Sequence, residues 1–300
     1  MAYHVPVLLQ QSVDALSVDP SGVYVDVTFG GGGHSREILS RLGPEGRLIA
    51  FDRDEDALAN RPEDERLIMV HGNFRFLYNY LRYHQRLEVD GILADLGVSS
   101  HHFDTALRGF TFQKEAPLDM RMNASSPLRA ADVLNGYSEA RLREIFRGYG
   151  ELDNASRIAQ SVVRARELAP LQTNLELLEA VGSCLPKFGE NKVLARIFQA
   201  LRIEVNGELT ALRELLLQSV RVLRPGGRLC VITYHSLEDR MVKLFFREGQ
   251  FEGRAEKDLY GHTHTPLRSV GTRFTTPDAD ELERNSRSRS AKLRVAERVL

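Results

Sequence analysis

The sequence predicts an α/β fold in which a mostly parallel, doubly wound sheet is interrupted by a helical subdomain. Short β-branched runs alternate with helical patterns through the first hundred residues, which is typical of βαβ units. A further strand candidate appears only about 130 residues later, whereas connections within compact domains are usually short. We therefore expect an inserted subdomain between the fourth and fifth strands.

The predicted elements give a provisional division of the chain. Residues 1–108 form the first part of the core, 109–205 the insert, and 206–300 the second part of the core with a basic tail. Helical spacing and a Thr173-to-Glu176 capping box mark the insert as helical, and a helix from about Glu208 ends before Pro225-Gly226-Gly227. The strand candidates are Val23–Thr28, Arg47–Phe51, Leu67–Val70, Val89–Leu96 and Arg228–Thr233.

Composition narrows the class of protein. The formal net charge is -1, so the whole molecule does not attract nucleic acid and any such contact needs local basic clusters. No apolar run is long enough to cross a bilayer, and the first residues lack the pattern of a secretory signal. Cys184 and Cys230 are far apart in apolar stretches, which favours buried, reduced thiols. We expect a cytoplasmic protein without membrane contact.

A glycine-rich loop, TFGGGGHS from Thr28 to Ser35, follows the first strand and leads into a helix. Glycines at such a turn let the backbone approach a ligand, and the helix N-terminus supplies unpaired N–H donors. The loop lacks the G-x-G-x-x-G spacing of nicotinamide-binding proteins. Read alone, it is a tight connection or a ligand loop.

Polar and aromatic residues at three later strand ends favour the interpretation that this loop binds a ligand. Asp52 closes the second strand about 20 residues past the glycines, where doubly wound folds place the acid that binds ribose hydroxyls. Phe74 follows the third strand, as an adenine-facing ring or as a core residue, and Asp95 closes the fourth, as a site residue or a loop cap. The histidines have no partners at metal-ligand spacing, so we predict no metal site.

These residues resemble the bacterial small-subunit rRNA methyltransferase H family (RsmH, formerly MraW). The resemblance runs over essentially the whole chain and through motifs that are long and particular to the family. They are HVPVLL from His4, TFGGGGHS from Thr28, DRD from Asp52, DLGVSS from Asp95, RGF from Arg108, PLDMRM from Pro117, NASRIA from Asn154, FQALRI from Phe198, HSLEDR from His235 and RSRSAKLR from Arg287.

The resemblance implies a Rossmann-like class I methyltransferase core that uses S-adenosyl-L-methionine to methylate N4 of a decoding-region cytidine in 16S rRNA. It implies that the helical insert forms a lid or an RNA-recognition domain. The sequence departs from the family pattern at three places. They are His102, which is Gln in some relatives, Val193-Leu194-Ala195-Arg196 in place of Pro-Ala-Thr-Arg, and Asn285-Ser286-Arg287 in place of Asn-Pro-Arg. The implied donor-contacting residues are Gly32, Gly33, His34, Asp52, Phe74, Asp95 and His102.

Methyl transfer to an exocyclic amine is an in-line displacement that needs alignment and a place for the departing proton. We hypothesise that Asp95, or a neighbouring backbone carbonyl, accepts that proton. Tyr234, which follows the fifth strand, is a candidate stacking face for the base. We expect His235 to face the substrate and Ser236, with Asp239, to cap the next helix.

The RNA-binding candidates are basic residues outside the predicted donor loop. A charged run is often only a solvated helix face, but here it offers phosphate contacts. The expected partner is 16S rRNA within the small subunit, not DNA, and a homodimer is possible. The alternative function is an RNA-binding ribosome-assembly factor that has a donor pocket but little turnover. The candidates are Arg196, Arg287, Arg289, Lys292 and Arg294.

Overall fold

The computed structural model describes residues 6–97, 108–255, 265–271 and 273–299. These residues divide into two compact units. The first, here called the sheet unit, joins the described residues up to Gly97 with those from Leu209 onwards. The second, here called the helical unit, comprises the described residues from 108 to Glu208. The predicted insert boundaries, 109 and 205, stay a prediction.

The sheet unit is built on a seven-stranded sheet in the order β3-β2-β1-β4-β5-β7-β6. Strands β1 to β5 pair in parallel, and β7 runs antiparallel to both β5 and β6. This topology confirms the predicted Rossmann-like α/β core with a mostly parallel, doubly wound sheet. The strands are β1 Val23–Asp26, β2 Arg47–Asp52, β3 Leu67–His71, β4 Val89–Asp95, β5 Leu223–Thr233, β6 Leu267–Ser269 and β7 Lys292–Arg298.

One set of helices covers both faces of this sheet, and another set forms the helical unit. In chain order they are α1 Leu9–Leu16, α2 Gly33–Arg41, α3 Glu55–Leu58, α4 Leu77–Tyr83, α5 Ala130–Gly136, α6 Glu139–Gly148, α7 Ala155–Leu168, α8 Asn174–Val181, α9 Glu190–Asn206, α10 Glu208–Val222, α11 Ser236–Glu248 and α12 Ala279–Arg284. Within the described residues, no helix has both the length and the apolar character that a membrane span needs.

The alternation of side chains along each strand separates two cores in the sheet unit. On β4, Ile92 joins the cluster made with α4, α10 and α11, whereas the next residue, Leu93, joins the cluster made with α1 and α2. Both side chains are fully buried. Because successive strand residues point to opposite faces, a continuous apolar run is what a strand covered on both sides requires.

The helical unit has its own apolar core, in which Leu142, Ile145 and Phe146 of α6 are buried, as their spacing predicts. The capping box at the start of α8 is confirmed. The Thr173 side chain accepts from the Glu176 N–H at 3.3 Å, and the Glu176 carboxylate accepts from the Thr173 N–H at 2.8 Å.

Two features of the sheet unit differ from the prediction. β5 begins at Leu223 and passes through Pro225-Gly226-Gly227, with a shift of register against β4 between Val89 and Gly91. The predicted basic tail contains β7, whose residues Leu293 and Ala296 are buried. The strand was missed because its basic and acidic residues obscure the short apolar alternation from which a strand is predicted.

Candidate active site

Three parallel strands of the sheet unit each end in an aspartate. Asp26 ends β1, Asp52 ends β2 and Asp95 ends β4. The sheet order reverses between β1 and β4, and ligands of open α/β sheets bind outside the carboxyl ends of the strands at such a switch point. The three acids therefore mark the candidate site.

The glycine loop after β1 has a shape that requires glycine at two of its positions. Gly30 and Gly32 have φ angles of 53° and 75°, in the left-handed region. A Cβ at Gly33, the first residue of α2, would overlap Cγ of Pro6. A Cβ at Gly30 would meet nothing within 4 Å. Backbone conformation thus explains Gly30, close packing explains Gly33, and the loop keeps open space beside Gly30.

Asp52 ties this loop to the end of β2. Its Oδ2 accepts from the Gly30 N–H at 2.8 Å, and its Oδ1 accepts from the Asp54 N–H at 2.9 Å. These two bonds hold the Asp52 carboxylate beside the glycine loop, and a carboxylate is the acceptor that a ligand hydroxyl needs. Asp54 instead caps α3 by accepting from the Asp56 N–H at 3.2 Å.

The sequence analysis missed Asp26. Its side chain accepts from Ser35 Oγ at 2.7 Å and from the Thr28 N–H at 3.1 Å, and the residue is 1% exposed. Burial raises the pKa of Asp26, against the opposing effects of His34 and these hydrogen bonds. The available signal was an acid inside the otherwise apolar strand VYVD, because a buried carboxyl needs partners.

His34, in the first turn of α2, is buried with its ring held in one orientation. Its Nε2 lies 3.1 Å from the Val7 carbonyl oxygen, and because a carbonyl only accepts, Nε2 carries the hydrogen of this bond. Its Nδ1 lies 4.0 Å from Asp95 Oδ2. The structure thus brings His34 and Asp95 together, as the predicted donor-site set requires.

The two oxygens of Asp95 differ in their surroundings. Oδ1 accepts from the Tyr234 hydroxyl at 2.8 Å and from the Gly97 N–H at 3.3 Å. Oδ2 accepts no hydrogen bond from the residues that the structure describes. The Asp95 side chain is 20% exposed. The main chain is fixed as well, since the Asp95 N–H donates to Thr28 Oγ1 at 2.7 Å. One oxygen is held in place, and the other remains an available acceptor.

Tyr234 has a role that the sequence analysis did not predict. Its ring packs against Gly97, where an added Cβ would lie 2.7 Å from the ring, and its hydroxyl donates to Asp95. Burial, followed by the charge of Asp95 and the hydrogen bond to it, raises the pKa of Tyr234 well above its ordinary value. The phenol therefore stays protonated and remains a donor at neutral pH. Its use as a stacking face stays a prediction.

The assignment of the α11 cap to Ser236 was wrong. His235 is the N-cap, and its Nδ1 accepts from the Glu238 N–H at 3.4 Å. Glu238 completes the capping box by accepting from the His235 N–H at 3.3 Å and also accepts from the Tyr234 N–H at 2.9 Å. Asp239 binds basic residues of β7 instead. His235 Nδ1 is thus engaged at its own helix terminus, and Nε2 lies 3.1 Å from Glu238 Oε1.

Of two other predicted donor-contacting residues, Phe74 and His102, the structure describes only Phe74. Phe74 follows β3, begins the 3-10 turn Phe74–Phe76, and is partly buried against the core shared by α4 and α10. It lies at the same edge of the sheet as Asp52, because β2 and β3 are parallel. His102 lies outside the described residues, so its placement stays a prediction.

The predicted RNA contacts do not form one group. Arg294 is 8% exposed, and its guanidinium donates to both Asp239 oxygens, at 2.7 and 3.1 Å. Lys292 lies 3.4 Å from the same carboxylate. Arg287 and Arg289 are exposed on the 3-10 turn Ser286–Ser290.

Arg196 belongs to the helical unit, on α9, where it donates to the Glu151 carbonyl at 3.4 Å.

The internal contacts of Arg294 and Lys292 reduce what these two side chains can offer to a phosphate.

Comparison with known proteins places this geometry in a family. The MraW methylase family matches residues 1–299. A protein of Bacteroides fragilis named ribosomal RNA small subunit methyltransferase H is 56% identical over 296 residues, which cover 99% of this chain and 97% of that protein. A protein of the same name from Flavobacterium johnsoniae is 54% identical over 299 residues, with 100% and 99% covered.

Among solved structures, TrmN from Thermus thermophilus is 13% identical with a TM-score of 0.44, and the match covers 97% of this chain and 48% of that chain. An rRNA methylase from Streptococcus thermophilus is also 13% identical, with a TM-score of 0.41 and coverage of 100% and 99%. From the match over residues 1–299 and the identities above 50%, the chain belongs to the MraW methylase family.

Proposed function

We propose that this protein transfers a methyl group from S-adenosyl-L-methionine to the exocyclic N4 of a decoding-region cytidine in 16S rRNA, within the small ribosomal subunit in the cytoplasm. Membership of the family supports an rRNA acceptor. One structural observation carries the proposed chemistry: Tyr234 and Gly97 hold one oxygen of Asp95, and the other accepts no bond from the described residues.

The residues around the glycine loop fit an adenosyl donor. Open space lies beside Gly30, the α2 N-terminus follows at Gly33, and the Asp52 carboxylate is bound to the loop at the Gly30 N–H. We assign the ribose hydroxyls to Asp52, because a carboxylate accepts hydrogen bonds from hydroxyl groups. When bound, S-adenosyl-L-methionine supplies an electrophilic methyl carbon on a sulfonium. Gly32, Gly33, His34, Asp52, Phe74, Asp95 and His102 are the proposed residues around it.

Asp95 performs the proton step in this proposal. The N4 amine of cytosine is a weak nucleophile because its lone pair is delocalised into the ring. A hydrogen bond from this amine to Asp95 Oδ2 turns the nitrogen towards tetrahedral geometry. As the bond between N4 and the methyl carbon forms and the carbon–sulfur bond breaks, Oδ2 takes the proton that the nitrogen loses. Tyr234 keeps the carboxylate in place throughout.

The proposed reaction is tested by incubating the protein with methyl-labelled donor and four acceptors: naked 16S rRNA, assembled small subunits, DNA and free cytidine. We expect label on N4 of one cytidine in the rRNA or the subunit, and none on DNA or free cytidine. Label on DNA or free cytidine contradicts the acceptor assignment. Absence of label from all four, with retained RNA binding, favours the assembly-factor alternative.

Asp52→Ala tests the donor site without testing the acceptor. Since a hydrogen bond to a charged group contributes about 1.5 to 3 kcal/mol, we expect donor affinity, measured by calorimetry, to fall at least about tenfold. RNA affinity stays unchanged. Asp56→Ala, an exposed acid of α3, is the matched control. Unaltered donor affinity in Asp52→Ala rules out the ribose-binding role.

A further inference from the structure

We propose that a face of the sheet unit outside the Asp95 site binds an unpaired stretch of the acceptor RNA. This basic-aromatic face is defined by Arg75, Phe76, Tyr78, Arg213 and Arg221. It lies where the turn Phe74–Phe76 and the start of α4 pack against α10. The inference rests on the proposed function only in taking RNA as the acceptor.

A cleft of about 250 Å³ lies between these elements and is lined by Arg75, Phe76 and Tyr78 on one side and by α10 on the other. Gln218 of α10 joins the two sides. Its Oε1 accepts from the Tyr78 N–H at 2.8 Å, and its Nε2 donates to the Arg75 carbonyl at 2.7 Å. The walls of the cleft are therefore fixed relative to each other.

The arginines of this face are held by aromatic rings and not by acids. The guanidinium carbon of Arg221 lies 4.1 Å from the ring centroid of Tyr78, that of Arg75 lies 5.1 Å from Phe76, and that of Arg213 lies 4.5 Å from Phe251. Within the part of the chain that the structure describes, these three guanidinium groups make no ion pair. Stacking orients them without consuming their charge.

Other arginines of the sheet unit show that this is not the general pattern. Arg41 binds Asp14 at 2.6 Å, Arg66 binds Asp64 at 2.6 Å, and Arg294 binds Asp239 at 2.7 Å. A guanidinium paired in this way offers little to a phosphate. The basic-aromatic face instead keeps its positive charge, and Glu214 is the acid that lines its cleft.

Exposed apolar groups accompany the free charges. The Phe76 side chain is 48% exposed, and Leu217, which is 42% exposed, lies between Arg213 and Arg221 at four-residue spacing on one side of α10. Unpaired RNA is bound by this combination, because bases stack on aromatic rings and guanidinium planes while arginines contact phosphates. The chemistry therefore favours a single strand over a duplex.

The position of the face suits an acceptor that enters the Asp95 site. The turn Phe74–Phe76 follows β3 after Gly72 and Asn73. β3 is parallel to β2 and so ends at the edge of the sheet where Asp52 lies. An RNA strand with its target cytidine at that edge has nucleotides on either side to place. We assign one of these flanks to the basic-aromatic face.

The test measures binding of a single-stranded 16S rRNA fragment that contains the target cytidine, by filter binding over a range of salt concentrations. For Arg75→Ala with Arg221→Ala, we expect affinity to fall about tenfold or more. We expect the slope of log affinity against log salt to fall by roughly one for each arginine. Lys243→Ala, which removes an exposed charge from α11, is the control and changes affinity less than about twofold.

Donor affinity by calorimetry shows that each variant is folded, and Arg221→Lys, which keeps the charge but not the planar stack, recovers only part of the affinity. RNA affinity equal to that of Lys243→Ala overturns the proposal. So does a loss seen with assembled subunits and not with the naked fragment, because that result indicates a protein contact. A wild-type protein that binds the fragment without methylating it sinks the proposed function and leaves this surface intact.

Discussion

Two clusters of charged side chains in the sheet unit are each built around an aspartate and differ in whether that aspartate keeps an oxygen available. Asp95 has one oxygen held by Tyr234 and Gly97, and its other oxygen accepts no bond from the described residues. Asp239 has both oxygens engaged, by Arg294 at 2.7 and 3.1 Å and by Lys292 at 3.4 Å. The Asp95 oxygen that remains available can accept a proton or a hydrogen bond from a ligand. The Asp239 carboxylate, with both oxygens engaged, can instead stabilise the fold.

The pKa of an aspartate is also shifted in opposite directions in the two clusters. Beside Asp95, burial raises the pKa of Asp26. At Asp239 burial acts in the same direction, but the hydrogen bonds and charge of Arg294, with Lys292, outweigh it and hold the pKa below its ordinary 3.8. The difference shows that the partners decide whether an acid is favoured in its charged or its neutral form.

The largest expected effect is at Asp95. Asp95→Ala removes the proposed proton acceptor, so the single-turnover rate at saturating donor falls by about 100-fold or more. Donor affinity is measured separately by calorimetry, because Asp95 is also a proposed donor contact. Asp95→Asn, which keeps an oxygen for Tyr234 but loses the basic one, is expected to be as slow. A wild-type rate in either variant contradicts the catalytic role.

The second effect concerns Arg294. Removing one partner of a buried ion pair leaves the other charge poorly compensated. In Arg294→Ala the Asp239 carboxylate loses both guanidinium hydrogen bonds and keeps Lys292 at 3.4 Å, so the free energy of unfolding falls by about 3 kcal/mol. Urea denaturation measures the change. Arg289→Ala, on the exposed turn before β7, is the control and is expected to change it by less than about 0.5 kcal/mol. Equal effects of the two substitutions would show that the ion pair contributes no stability.

A smaller effect is expected at Tyr234, which acts through Asp95. Tyr234→Phe removes a hydrogen bond to a carboxylate worth about 1.5 kcal/mol, so the single-turnover rate falls about tenfold with donor affinity unchanged. In an Asp95→Ala background the same substitution changes the rate little, because the group that it positions is gone. An undiminished effect in that background would falsify the positioning role.

The smallest effect is on the pH dependence of stability. The folded pKa of Asp26 is raised, so its stabilising contribution is complete below 3.8 and is lost as pH rises through the folded pKa. The folded pKa of Asp239 is lowered, so its contribution is present above 3.8 and is lost as pH falls through the folded pKa.

Urea melts at a series of pH values measure both dependences. As pH rises above 3.8, the stability of Asp26→Asn relative to wild type increases. The stability of Asp239→Asn relative to wild type decreases as pH rises to 3.8 from below. Slopes of the same sign for the two variants contradict the assigned directions.

The sequence predicted well those features that depend on neighbours along the chain. Asp52 and Asp95 were placed at strand ends, and they are the last residues of β2 and β4. The glycine loop was placed between a strand and a helix, as observed. Hydrophobic periodicity and glycine content act over a few residues, so both can be read directly from sequence.

Features that depend on distant partners were not predicted. The strand β7 was interpreted as a basic tail, although pairing with β5 buries Leu293 and places Arg294 against Asp239, 55 residues away. A local feature was missed as well: the cap of α11 was given to Ser236, although the neighbouring His235 occupies it. In each case a charged or polar residue has several possible partners, and local pattern does not choose among them.

By itself, the sequence determined the α/β core, the glycine loop and the acids at the strand ends, because each follows from local propensity and spacing. Only the tertiary structure decided which charged groups are engaged in ion pairs within the chain and which can still contact a ligand. The Tyr234 hydroxyl reaches Asp95 across 139 residues, and Arg221 lies on the ring of Tyr78 instead of on an acid. The availability of a lone pair or a charge depends on burial and on partners that folding alone brings into contact.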